Sequence, residues 1–437
     1  MSFFRTVGYT FSNPSSAPIS GGLILASKVS KIALDRRQDD LNGKYSDHFS
    51  NRLFDPQLYL SEIDTRARKE CTKLASYPWF PTGDIQGYDS DEMTQSDWKN
   101  EVSSDIDDIW KSVTPSSLPV IEASIRACIK YQLSIGCDAI ILPSPLTTNP
   151  SSQYTDEATW IDKGVEVANE LDVDIPVLAT IALQDNCLRF QRPPNNHLIN
   201  QIADSVSARG VDGAYVVLEQ SSEPQNQRHC AHKNVLWSIL NLSHLLGVDA
   251  NLTVVASYLG AYGLACRAAG ADAWSTGWYK SLYRLRIPDL AGTGRARPRY
   301  WSFPAAISVH LKSDFDDLSA NNLIGGGPLD DATPASNGLL TAAKQGSLVR
   351  HVPDWEYTMN NVTAARDHFL ASVFQEEKEL QGLNRTDRVD YIHDWLKDAS
   401  TLTSNVAQTL GAQPDTNLDH VQVWEEAFDS YRSQFGV

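Results

Sequence analysis

The chain has 437 residues and a formal net charge of −17, with 42% hydrophobic and 21% charged residues, an ordinary composition for a soluble globular protein with a sizeable core. So acidic a chain argues against a nonspecific nucleic-acid binder while leaving room for one local basic groove. No apolar run reaches the roughly 20 residues that cross a bilayer, and Cys71, Cys128, Cys137, Cys187, Cys230 and Cys266 follow no C-x-x-C spacing. The expectation is a reduced, cytoplasmic chain without a structural zinc.

Residues 1–20 carry no periodic pattern, and with one Arg and no long apolar region they do not read as a signal peptide. Gly21-Gly22 leads into Leu23-Ile24-Leu25-Ala26, a short apolar run that predicts a buried strand. Arg52-Leu53-Phe54 predicts a second, stopped at Asp55-Pro56-Gln57 because proline cannot donate to a ladder. Asp55 then stands at a strand's carboxyl end. Residues 61–115 read as an insertion, acidic and Ser-rich from Asp84 to Asp108, with Trp98 and Trp110 among the acids. Those rings need somewhere to pack, so the insertion is expected to be a lid or a partner surface.

From Leu118 the periodicity is clear. Helical patterns cover Pro119–Ile135, Thr155–Leu171, Asn196–Ala208, Asn234–Leu246 and Ala261–Ala269. Between them lie the apolar runs Asp138–Leu142, Pro176–Ala182, Ala214–Leu218, Leu252–Ala256 and Ala271–Ser275. Helices alternating with short, almost wholly apolar strands predict a parallel sheet covered on both faces. Seven strands are counted this way, and Tyr300–Phe303 is the candidate for the eighth. The predicted fold is an α/β, TIM-like (β/α)8 barrel over residues 20–318. Residues 319–346 read as a linker to an all-α C-terminal region, 347–437, with helical patterns over Trp355–Gly382, Thr386–Leu410 and Asp419–Phe435.

Barrel active sites form at the carboxyl ends of the strands. The candidates there are Ser27, Asp55, Gln57, Ser144, Thr180, Glu219, Ser257, Tyr258, Ser275 and Thr276. Asp55 and Glu219 are the carboxylates among them, and a pair facing one mouth serves as nucleophile and general acid, or as two acid/base groups. The bland alternative is that one of them caps a helix or pairs with an Arg. His229-Cys230-Ala231-His232 lacks the carboxylate that a pattern such as H-E-x-x-H supplies, so no metal site is expected. Past Gly260 and Gly277 comes the densest basic run of the chain: Lys280, Arg284, Arg286, Arg295, Arg297 and Arg299 with one acid, Asp289. Arg in a loop suits bidentate phosphate contacts; salt bridges to the acidic insertion or to a C-terminal helix are the plainer reading.

The pattern VVASYLG…AAGADAWSTG resembles the closing strands of phosphate-gripping TIM barrels, which include flavin-dependent and sugar-phosphate enzymes. That resemblance implies a phosphate cupped on backbone N–H groups there, although Tyr258-Leu259 stand where those barrels carry Gly-Gly. Asp55 after an early strand, Gly270-Ala271-Asp272, and the Arg-containing loop from Gly294 to Arg299 are similar to the tRNA-guanine transglycosylase barrel, which exchanges a base at a glycosidic bond. The chain has no D-S-G-G-F, that family's nucleophilic Asp would fall near Ser275, and its zinc cysteines are absent. The expected protein is a barrel enzyme with a phosphate-bearing substrate, a nucleotide or nucleic acid, and with Asp55 and Glu219 acting at a glycosidic bond. Gln57, Ser144, Thr180, Ser257, Tyr258, Gly260, Ser275, Thr276, Gly277, Lys280, Arg295, Arg297 and Arg299 are its expected binding residues. A lyase or oxidoreductase with the same phosphate cup is one alternative. Another is a catalytically silent barrel in a larger assembly, with the insertion and the C-terminal helices meeting a second copy or a protein partner. No cofactor is legible.

Overall fold

The computed structural model describes residues 3–7, 20–37, 49–83, 93–149, 154–292, 296–358, 361–411 and 414–437. Eight strands carry the fold: β1 (Phe3–Val7), β2 (Ser20–Leu25), β3 (Phe49–Asp55), β4 (Ile140–Ile141), β5 (Val177–Gln184), β6 (Gly213–Glu219), β7 (Thr253–Ser257) and β8 (Ala273–Thr276). They form one sheet in the order β3-β2-β1-β8-β7-β6-β5-β4, and every pairing in it is parallel. β4 is short because Pro143 and Pro145 follow it. The seam between β3 and β4 is drawn together by Asp138, whose N–H donates to the Arg52 carbonyl at 2.9 Å and whose carboxylate accepts the Arg52 N–H at 2.5 Å. The sheet is thus a nearly closed barrel.

Side chains alternate across each strand. Tyr215 and Val217 of β6 join Leu178, Ala182, Val255 and Ala273 in one apolar cluster. Ala214, Val216 and Leu218, between and beside them, join the helices in the other. Those helices are α2 (Leu118–Ser134), α3 (Thr155–Glu170), α4 (His197–Ser207), α5 (Lys233–His244) and α6 (Gly263–Ala269), after α1 (Gln95–Ser104) in the insertion. Three further helices close the chain: α7 (Thr363–Gln381), α8 (Arg385–Leu410) and α9 (His420–Phe435).

Three expectations are corrected. The eighth strand is β1, from the stretch that shows no pattern; a run of five residues interrupted by Arg5 is too short to display alternation. The Phe4 ring lies where a Cβ on Gly21 would sit, within 2.5 Å, so glycine is what lets β1 and β2 approach. Tyr300–Phe303 does form a strand, β9 (Arg299–Ser302), but it pairs antiparallel with β10 (Ile307–His310) outside the barrel. The stretch read as a linker holds a helix, Asn337–Lys344, with Leu339 and Leu340 buried.

The described part of the insertion is packed down. Thr94 and Asp97 form a reciprocal cap at the start of α1. The indole N–H groups of Trp98, Trp110 and Trp79 donate to the carbonyls of Thr72, Ile63 and Pro56 at 2.8, 2.9 and 3.1 Å. The C-terminal helices share one apolar cluster with the barrel, in which Trp395, Trp424 and Phe428 meet Leu236, Ala265 and Trp274.

Candidate active site at the mouth of the barrel

Because the strands are all parallel, Asp55, Glu219, Ser257 and Thr276 end β3, β6, β7 and β8 on the same rim. Asp55 is fully buried there, and it gathers hydroxyls from three elements. Its Oδ2 accepts from Tyr59 at 2.5 Å, from Tyr215 of β6 at 2.8 Å and from Tyr258 at 3.4 Å. Its Oδ1 accepts the Gln57 N–H at 3.0 Å. Burial pushes the Asp55 pKa up to about 6, while the hydrogen bonds from Tyr59, Tyr215, Gln57 and Tyr258 pull it down. Burial and the Asp55 charge hold all three phenols well above their ordinary range, so they remain donors.

Two residues beside Asp55 sit in the left-handed region, Gln57 at φ 53° and Tyr258 at φ 62°. Neither is a glycine, so the backbone there carries strain that the surroundings must hold. What holds it is their own contact: Gln57 Nε2 donates to the Tyr258 hydroxyl at 3.0 Å, and its Oε1 accepts the Ser27 N–H at 2.6 Å. Non-glycine strain at two strand ends, both aimed at one raised carboxylate, is a pattern of functional sites.

Glu219 is placed differently. Its carboxylate accepts from Ser221 Oγ, from the Ser221 N–H at 3.1 Å, from Gln184 Nε2 at 3.2 Å and from the Ile287 N–H at 2.8 Å. Burial raises its pKa against those donors. Four donors occupy both oxygens, so Glu219 anchors the segment that passes over it. That strap, residues 277–290, bridges to Glu219 through Leu285, and the Gln220 N–H donates to the Leu285 carbonyl at 2.9 Å. Leu282, Leu285 and Leu290 lie in the same apolar cluster as Tyr215 and Tyr258.

The strap also fills the phosphate cup that the sequence points to. The Tyr283 ring lies about where a Cβ on Gly260 would stand, and Leu282 does the same at Gly277. The Tyr283 hydroxyl accepts the Ala261 N–H at 3.2 Å, a donor that a cupped phosphate would use. The first half of the basic run clasps the strap. Asp289 takes Lys280 at 2.7 Å, Arg286 at 2.8 Å and Arg284 at 3.8 Å. Lys280 Nζ also donates to the Gln225 carbonyl at 2.6 Å, and Arg286 Nε to the Glu223 carbonyl at 3.0 Å.

The remaining candidates scatter. Ser257 and Ser275 hydroxyls pair at 2.6 Å between β7 and β8. Thr180 Oγ1 donates to the Leu142 carbonyl at 2.5 Å, and Thr276 Oγ1 to the Gly277 carbonyl at 3.4 Å. Ser144 Oγ is buried with no hydrogen-bond partner among the described residues. The Arg297 guanidinium lies over the Tyr357 ring at 5.2 Å, Arg299 donates to the Ser308 carbonyl at 3.4 Å, and Arg295 lies outside the described residues. His229 is buried and stacked on His420 at 3.9 Å, and its Nδ1 meets the Tyr283 hydroxyl at 2.7 Å. Among the described residues no group of three or more His, Cys, Asp or Glu side chains is placed to hold a metal.

Tyr59 and Tyr215 are not among the residues that the strand ends point to. Tyr215 lies four residues before Glu219 on the same face of β6, a spacing that the strand period alone reveals. No protein-family model matches this chain, and no curated protein is significantly similar to it.

Proposed function

We propose that the protein is a barrel enzyme that breaks or exchanges a glycosidic bond on a phosphate-bearing substrate, with Asp55 as its general acid. The observation that carries the reading is Asp55 itself, a buried carboxylate raised to about 6 among three tyrosine hydroxyls, at the rim where barrel chemistry takes place. All three hydroxyls converge on Oδ2, so the proton resides on Oδ1. From there it passes to the leaving-group oxygen as the bond to the anomeric carbon breaks. The carboxylate this leaves behind is stabilised at once by donors already in position. Glu219 is the second carboxylate, and it takes the proton of the incoming water or acceptor once Ile287 withdraws from it.

The rate falls as pH rises through about 6, because the acid form of Asp55 is the active one. The test is turnover of a panel of nucleotides and sugar-phosphate glycosides by the native protein and by Asp55→Asn. The substitution is expected to lower the rate by about 10²–10⁴-fold with the fold intact. Undiminished turnover in that variant removes Asp55 from the chemistry. The burial of every group around Asp55 favours a second reading, a catalytically silent barrel. A chain that neither binds nor turns over any member of the panel supports that one.

A further inference from the structure

Arg228, Arg284 and Arg299 all lie near the buried His229, and two of them, Arg228 and Arg284, carry buried nitrogens without a hydrogen-bond partner among the described residues. We propose that Arg228, Arg284 and Arg299 form a seat for a terminal phosphate group, built on the strap itself and on the segment after β6 rather than on the backbone cup at Gly260 and Gly277. This deepens the reading above by locating the phosphate of its substrate, and it rests on that reading only for the name of the substrate.

Arg284 is the centre. Its side chain is 1% exposed, and of its nitrogens only Nη2 has partners, the Pro224 carbonyl at 3.3 Å and Asp289 at 3.8 Å. Nε and Nη1 have no hydrogen-bond partner among the described residues. A guanidinium buried with two nitrogens unanswered is costly, and an oxyanion is the partner whose geometry fits its fork. Arg228 repeats the pattern: Nη2 donates to the Trp278 carbonyl at 2.8 Å, and Nε has no partner among the described residues. Its guanidinium lies over the Tyr283 ring at 5.1 Å, next to Arg284 in the chain. Arg299 supplies the third charge. It stands two residues before Trp301 on the same face of β9, and the Trp301 ring lies 6.1 Å from that of His229. Burial, His420 and the three arginine charges all disfavour protonation of His229.

The nearby acids are engaged elsewhere. Asp289 makes its short contacts to Lys280 and Arg286, and Glu223 pairs with Arg189 at 3.3 Å. Among the described residues neither Arg228 nor Arg299 has a carboxylate within 4.0 Å. The seat is tied to the chemistry by a short path. Arg284 adjoins Leu285, whose carbonyl is held by Gln220, and Gln220 Nε2 donates to the carbonyl of Tyr258 at 2.9 Å.

Burial selects the kind of phosphate. A nucleic-acid backbone lies along a surface and carries one charge per phosphodiester. A terminal phosphate carries up to two charges and three free oxygens, and it can be enclosed. The seat therefore suits a small phosphomonoester or a terminal diphosphate, with pyrophosphate as its simplest probe.

The experiment is calorimetric titration of the intact protein with pyrophosphate at low salt, beside a single-stranded oligonucleotide. Pyrophosphate is expected to bind saturably and more tightly than the oligonucleotide. Arg228→Ala, at the half-buried edge of the cluster, should weaken it roughly ten- to a hundredfold, and Arg228→Lys should recover part of the loss. Asp55→Asn should bind pyrophosphate as the native chain does, which separates this inference from the catalytic reading. No binding at millimolar pyrophosphate, tighter binding of the oligonucleotide, or an unchanged affinity in Arg228→Ala overturns the proposal. So does an Arg228→Ala chain that melts earlier yet binds as before, since the cluster is then structural.

Discussion

Asp55 keeps its charge above pH 6 only at a cost to the fold. An aspartate in an unfolded chain ionises near 3.9, whereas Asp55 in the folded chain ionises near 6. Between those values the folded chain holds more protons than the unfolded one, so stability falls as pH rises across the window. At neutral pH the penalty is on the order of 3 kcal/mol, set by burial and offset in part by the tyrosines. Asp55→Asn is therefore expected to melt at or above the native temperature at pH 7.5, with the advantage fading toward pH 4. Scanning calorimetry at the two pH values reads this, and an early-melting variant at pH 7.5 marks the carboxylate as a structural anchor. At this scale the sequence is half legible. A proline after a strand exposes Asp55, and strand ends expose Gln57 and Tyr258. A tyrosine inside AYVVL reads as core, because its face of the strand alone does not say what its hydroxyl meets.

The elements are held to the barrel by a few buried polar anchors. Glu377 of α7 accepts from the Trp274 indole of β8 at 2.8 Å and from Arg267 Nε of α6 at 3.1 Å, and Arg267 also donates to the Ala271 carbonyl. Both charges are buried. Removing one partner leaves the other without a counter-charge, so Glu377→Ala is expected to cost about 3–5 kcal/mol. A shift of the urea midpoint measures it, and a midpoint within error of native shows that α7 docks by apolar packing alone. Apolar runs and caps reveal seven of the eight barrel strands and most of the helices. They miss β1, and they offer Tyr300–Phe303 as the eighth stave, whereas that stretch pairs with β10 outside the barrel. Strand propensity reports a pleated, half-buried surface, and it is the same for a barrel stave and for a hairpin.

Over the whole molecule, the C-terminal helices and the barrel are one body of packed side chains. Helical periodicity announces α7, α8 and α9 but not the surface they cover, so the sequence leaves open both packing on the barrel and an oligomer contact. Trp395 and Trp424 share the cluster of the barrel helices, the Trp424 indole donates to the Cys230 carbonyl at 2.9 Å, and Tyr431 reaches the Ala269 carbonyl at 3.3 Å. The intact chain is expected to unfold in a single transition. A chain cut after residue 346, which leaves that surface of α5 and α6 bare, should give no cooperative transition at all. Two separate calorimetric peaks in the intact chain would show independent units.

The strap sets the terms on which anything meets Asp55. With Leu282, Leu285 and Leu290 packed into the barrel and Ile287 bound to Glu219, arrival needs the strap to lift first. The rate of capture then levels off with concentration at the strap's own rate of opening, and diffusion ceases to matter. A strap that falls back over a substrate of the proposed kind is expected to leave little water beside Asp55. Under the proposed chemistry, the group released from the broken bond is expected to meet a co-bound acceptor before it meets solvent, so that transfer outruns hydrolysis.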